Sequence, residues 1–159
     1  MTGDAPFDLP PFEPLDRPLH LTKAQGAARQ TYFALGALHA GDYDAAITLA
    51  GAAEGMLPGD PDIEVTTQLL KNPTQEVPPP YKWTEIVNLE RNWLKHQTDV
   101  EKIPAEITFD LDTASFAVFR ATRKLPLEYI TIEMVAFDEW YRKRVAGQIA
   151  ARGTDKANG

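Results

Sequence analysis

The stretch GDYDAAITLAGAAEGMLPG, residues 41–59, places small side chains on a helical period. Ala46, Ala50, Ala53 and Leu57 recur at i, i+4, i+7 and i+11, which is one stripe of a 3.6-residue helix. Asp42 or Asp44 supplies an N-cap, and Pro58-Gly59 stops the segment near Leu57. Alanines on the inward stripe let a neighbouring backbone come close. The segment therefore predicts one arm of a helical hairpin with an alanine-rich interface. Glu54 sits on the flank of that stripe, about 70° from its centre on an ideal wheel.

The partner arm precedes it. Thr22 is an N-cap candidate, and Ala27, Ala28, Thr31, Leu35 and Leu38 keep i, i+3, i+4 spacing up to Gly41, a C-terminal stop. Beyond the hairpin, IEVTTQLLK (63–71) is expected to form a short helix, and NPTQEVPPP (72–80) a loop, because three consecutive prolines cannot continue a helix. Tyr81 to about His96 reads as the next helix, with Trp83, Ile86, Leu89, Glu90, Trp93 and Leu94 mostly on one side. ITFDLD (107–112) alternates like a strand but has no partner, so it is expected to be a loop. Asp112 or Thr113 starts a helix through Leu125, rich in Phe116, Val118 and Phe119 and ended by Pro126. The last helix is predicted from about Glu128 to Ile149, with Ile130, Met134, Phe137, Tyr141, Val145 and Ile149 in register and Trp140 widening the apolar side.

These elements make an all-α helical bundle of about five main helices (residues 21–150), preceded by an extended Pro-rich arm (1–20) and followed by a disordered tail (151–159). The arm carries prolines 6, 10, 11, 14 and 18 and offers Phe7, Leu9, Phe12 and Leu15 to an apolar surface. The stretch from Gly41 to Asp62 also resembles the second half of a tetratricopeptide unit. Residues 74–85, TQEVPPPYKWTE, do not repeat it, so a single hairpin is expected rather than an array.

Composition narrows the function classes. The chain has 159 residues, 43% of them hydrophobic and 25% charged, which suits one globular domain. No apolar run reaches the ~18 residues of a membrane span, and the acidic, Pro-rich start does not resemble a secretory signal. Cysteine is absent, which removes disulfides, thiolate nucleophiles and thiolate metal sites and fits a cytoplasmic setting. A net charge of −7 argues against a broad nucleic-acid backbone interface, so DNA is not expected as a partner.

The chemically suggestive string is ERNWLKH, residues 90–96. A metal-independent ribonuclease needs a base near neutral pKa for the 2′-hydroxyl proton and a cation for the charge that grows on the phosphorane. Histidine and arginine suit those tasks, and asparagine can orient an imidazole or hold a phosphate oxygen. Arg91-Asn92-Trp93-Leu94-Lys95-His96 resembles the motif of the HEPN superfamily: an arginine, four to six residues, then a histidine, frequently with a polar residue directly after the arginine. That resemblance implies a helical bundle, frequently dimeric, with His96 as acid/base, Arg91 stabilising charge and Asn92 orienting.

The chain also resembles a group of uncharacterised bacterial HEPN-like proteins over about residues 25–141. These pair a helix like AAITLAGAAEGML with a later N-[aromatic]-x-K-H and an aspartate, here Asn92, Trp93, Lys95, His96 and Asp99. This second resemblance implies a fold and brings no activity.

Helix geometry opposes a simple active site. Asn92 and His96 stack at i, i+4, while Arg91 lies about 140° from His96 on an ideal helix, with Trp93 facing the core between them. The bland expectation puts Lys95 and His96 at a helix C-terminus and Arg91 on a solvated flank, paired with an acid. Glu54 and Glu90 approach apolar faces, and either can serve as a buried carboxylate partner for Arg91 or His96. The ordinary expectation for such a glutamate is a half-buried pairing with lysine. His20 and His39 lack zinc-ligand spacing, and no metal or cofactor is expected. Two functions follow as expectations: a non-catalytic interaction or ligand-binding module, or a metal-independent ribonuclease (or a degenerate relative) acting on RNA. A homodimer is expected from the resemblance and from the aromatic content of the later helices.

Overall fold

The computed structural model describes residues 11–59, 85, 87–95 and 104–157. Among these residues it is all-helical, with no strand. The helices are α1 (Lys23–Ala40), α2 (Tyr43–Met56), α3 (Leu89–Lys95), α4 (Leu111–Lys124) and α5 (Ile132–Ala157), with a 3-10 turn at Leu127–Tyr129. The segments IEVTTQLLK and NPTQEVPPP and the first ten residues lie outside the described residues. Residues 11–22 carry no regular secondary structure.

The hairpin forms by local rules. Thr22 Oγ1 accepts from the Gln25 N–H at 3.1 Å, and Gln25 Oε1 accepts from the Thr22 N–H at 2.9 Å, a reciprocal capping box. At the other end Gly41 takes φ 85°, the left-handed region where a Cβ would be strained. Its N–H donates to the Leu38 carbonyl, and the Asp42 N–H donates to Ala37. Those bonds satisfy carbonyls that the end of α1 would leave open and turn the chain into α2 within two residues.

Alpha2 is the centre of the bundle and packs against α1, α3 and α4. Ala46, Ala50 and Ala53 are buried as the stripe predicts, facing Ala27, Ala34, Ala114 and Ala121 on its neighbours. An interface of alanines brings helix axes to the short end of the usual range, about 8 Å. Ile47, Leu38, Val118 and Leu125 fill the larger spaces.

Three boundaries differ from the sequence expectation. The helix α4 starts at Leu111 rather than Asp112 or Thr113. Asp110 is extended and its Oδ1 accepts from the Thr113 N–H at 2.8 Å, so the earlier aspartate is the cap; residues 107–110 form the expected loop, and Leu111 and Asp112 already belong to the helix. The last helix starts at Ile132 rather than Glu128, because Pro126 leads into the 3-10 turn and Thr131 Oγ1 then accepts from the Met134 N–H. It also runs to Ala157, well past Ile149. No proline interrupts that stretch, and a single Gly153 in a helix costs only about 1 kcal/mol relative to alanine, so residues 151–157 are helical rather than a disordered tail.

Met134 and Phe137 bury α5 against the bundle, and Tyr141 lies 4.7 Å from Phe119 of α4 between ring centroids. Arg144 Nε donates to Asp112 Oδ1 at 2.6 Å, and Gln148 Nε2 donates to Oδ2 at 3.0 Å. The Arg144 hydrogen bond holds the Asp112 carboxyl below its usual range. A carboxylate lowered in the fold adds stability above its unfolded pKa and loses it as pH falls through the folded value. The stability difference between wild type and Asp112→Asn should therefore be present at neutral pH and vanish in acid, as read by urea melts across pH. Gly41→Ala should cost about 1–2 kcal/mol in the same measurement, because alanine is strained at that φ.

Candidate functional site

The C-terminal half of α2 carries a carboxylate inside the protein. Glu54 is 5% exposed, far more enclosed than its flank position on a wheel suggests, because α3 and α4 close over that side. Burying a carboxylate without partners is prohibitive. Here Arg120 of α4, itself 6% exposed, supplies them. Its Nε and Nη2 donate to Glu54 Oε1 at 3.2 and 3.1 Å, and Nη2 lies 2.9 Å from Oε2. The same Nη2 donates to Asn88 Oδ1 at 3.3 Å, and the guanidinium lies 5.6 Å from the centroid of the Phe116 ring.

Arg91 completes the arrangement from α3. Its Nη1 is 3.7 Å from Glu54 Oε2, an ion pair beyond hydrogen-bond length, and its side chain is 31% exposed. The arginine reaches this position by lying on glycine. A Cβ at residue 51 would come within 3.0 Å of Arg91 Nε and 3.1 Å of its Cδ, and one at residue 55 would be 3.5 Å from Nη2. Gly51 and Gly55 are one turn apart on α2, so with Glu54 they form a bare shelf with an anionic edge. Lys124 donates to the main-chain carbonyls of Glu54 and Leu57 at 3.1 and 3.4 Å, where a cation meets the negative end of α2.

Glu54 is thus the buried carboxylate partner of Arg91, and the half-buried glutamate–lysine pairing is replaced by pairing with arginines. Arg91 is not a solvated flank residue. Its long side chain turns back onto α2 because the glycines leave room and the carboxylate attracts it. Glu90 joins Glu54, Arg91, Arg120 and Phe116 around a small cleft of only about 30 Å³ that opens to solvent. Asn92 and Lys95 are not among its lining residues. Asn92 is half-buried and donates its N–H to the Asn88 carbonyl, and Lys95 is exposed. Trp93 is half-buried: its Nε1 donates to the Pro104 carbonyl at 2.9 Å and its ring meets Phe109 edge-on. His96 and Asp99 lie outside the described residues. His20 and His39 are both exposed, and among the described residues no three metal-ligating side chains gather.

The sequence reading missed Arg120, Asn88, Gly51 and Gly55. Two signals were available. Two glycines at i, i+4 inside a helix each cost about 1 kcal/mol relative to alanine, which calls for a close approach by something. Arg120 also sits among Val118, Ala121 and Leu125 on an apolar helix, where a charge needs a buried partner.

No family model matches this chain, and neither does any curated protein or solved structure.

Removing the shared carboxylate should expose its importance. Glu54→Leu leaves Arg120 buried without its anion and should cost about 3–5 kcal/mol in chemical denaturation. Combining it with Arg120→Met should recover most of that loss, because an apolar pair of similar volume is often neutral or better. Gly51→Val should displace Arg91 and cost about 1–3 kcal/mol, typical of overpacking.

Proposed function

We propose that the chain is a non-catalytic interaction or ligand-binding module of the HEPN-like helical type. One observation carries this reading: Arg91 lies on the Gly51–Gly55 shelf beside Glu54. A cation this close to a buried carboxylate has much of its field cancelled before it can act on a developing phosphorane. The side chain the ribonuclease reading needs free instead helps hold α3 to α2.

The ribonuclease reading keeps one supporting feature. At 3.7 Å, Arg91 makes no hydrogen bond to Glu54, and it lines a cleft open to solvent. A phosphate that displaced it from the shelf would gain a bidentate partner. The two readings separate in a cleavage assay on structured and single-stranded RNA with EDTA present. The module reading expects no cleavage by wild type, or equal residual cleavage by wild type and His96→Ala, which marks a contaminant. Cleavage by wild type that is abolished in a folded His96→Ala protein would establish the nuclease and overturn the module.

A further inference from the structure

A second concavity lies on the opposite side of α1, between it and α5, and is much larger than the arginine cleft. Its volume is about 940 Å³. Tyr32, Leu35, Gly36, Tyr43, Phe137 and Trp140 form its aromatic and aliphatic lining, with Glu133 as an acidic residue on α5. Tyr32 and Trp140 remain well exposed, and Ile132 and Val135 extend exposed apolar surface along α5. Gly36 is informative. It lies in the interior of α1, where glycine is unfavourable, and a Cβ there would have nothing within 4 Å. Packing among the described residues gives no reason for a glycine at this point. A groove floor kept bare for an occupant does.

The described residues also contain an unburied apolar segment of matching character. Residues 11–21, PFEPLDRPLHL, carry no helix or strand, and Phe12 (91% exposed), Leu15 (83%), Leu19 and Leu21 are all open. Pro11, Pro14 and Pro18 fix φ near −65° and favour the polyproline II conformation. Pro11-Phe12-Glu13-Pro14 has the Pro-x-x-Pro spacing that such segments use to dock in grooves lined by aromatic rings. Arg17 is the segment's one arginine, set beside the acids Glu13 and Asp16, and Glu133 is an acid on the groove wall that it can meet. Glu133 is held ionised by hydrogen bonds from its own N–H and the Thr131 hydroxyl.

We propose that the groove between α1 and α5 binds the Pro-rich segment 11–21 of a second copy of this chain, with Arg17 of one copy facing Glu133 of the other. A reciprocal exchange of two such arms closes a two-fold dimer, since each copy supplies one arm and one groove. The segment arrives pre-extended, so ordering it costs less entropy than ordering a flexible chain. This inference deepens the interaction-module reading by naming its partner. It does not depend on Arg91 or His96, so the cleavage assay and the association assay can fail separately.

Sedimentation and light scattering on the full chain at tens of micromolar test it. The expected mass is twice 17.7 kDa. A chain lacking residues 1–20 should be monomeric, with unchanged helical circular dichroism because the described part of the arm is exposed. Gly36→Leu in the full chain should also be monomeric while melting no lower than wild type, since the leucine fills the groove without meeting its own fold. Because the two-fold dimer holds the contact twice, Arg17→Glu and Glu133→Arg should each weaken it by up to about 25-fold, about fivefold per contact, and the double reversal should restore it. A monomeric full chain would overturn the proposal, including one whose Trp140 environment changes on arm deletion, which would place the arm in its own groove. A dimer that survives either arm deletion or Gly36→Leu would overturn it equally.

Discussion

A single buried carboxylate organises one whole side of this bundle. Glu54 sits at the point where α2 meets α3 and α4, and the guanidinium groups of Arg120 and Arg91 close around its negative charge. Arg120 supplies fully desolvated hydrogen bonds, while Arg91 supplies a longer and partly solvated attraction. The difference in exposure matters energetically. Loss of Glu54 strands Arg120 inside the protein, whereas Arg91 can swing out to water at little cost. The carboxylate therefore ties α4 firmly and α3 more loosely to the same helix.

The small residues of α2 make that geometry attainable. Its alanine stripe brings α1 and α4 close, which places Arg120 within reach of Glu54. Its two glycines leave the shelf on which the aliphatic stem of Arg91 rests. A helix with larger side chains at positions 51 and 55 would hold α3 farther away, and the ion pair would be lost. One short segment thus sets both the apolar packing and the polar network, on adjoining faces of the same helix.

The bundle also has a marked asymmetry of burial. Around α2 the interfaces are dense and alanine-lined, while α5 is anchored mainly over its first half by Met134, Phe137 and Tyr141. On the outer side of that same half, ion pairs such as Arg142–Asp138 and Lys143–Glu139 run along an exposed surface, and farther along Ile149 remains open. Exposed apolar side chains on α5, on α1 (Tyr32 and Phe33) and along residues 12–21 are more than scattered surface residues and are characteristic of association surfaces. The arginine cleft and the aromatic groove are therefore separate features, built from different elements and by different physics.

Local rules made much of the fold legible. Thr22, Gly41, Pro58 and Pro126 punctuate the chain by their own backbone chemistry, and the alanine period of α2 announces a close helix contact whatever the partner. The suspicion that Glu54 serves Arg91 was also within reach, because a glutamate beside an apolar stripe needs a cation. What the sequence alone did not decide was which cation dominates. Arg120 lies 66 residues away, and its pairing follows from the angle at which α4 crosses α2, a property of the assembled core. Likewise, ERNWLKH on an ideal wheel sends Arg91 away from His96. Only the packed structure shows that it turns onto a glycine shelf, because a long flexible side chain follows the nearest accessible charge rather than the direction of its own Cβ.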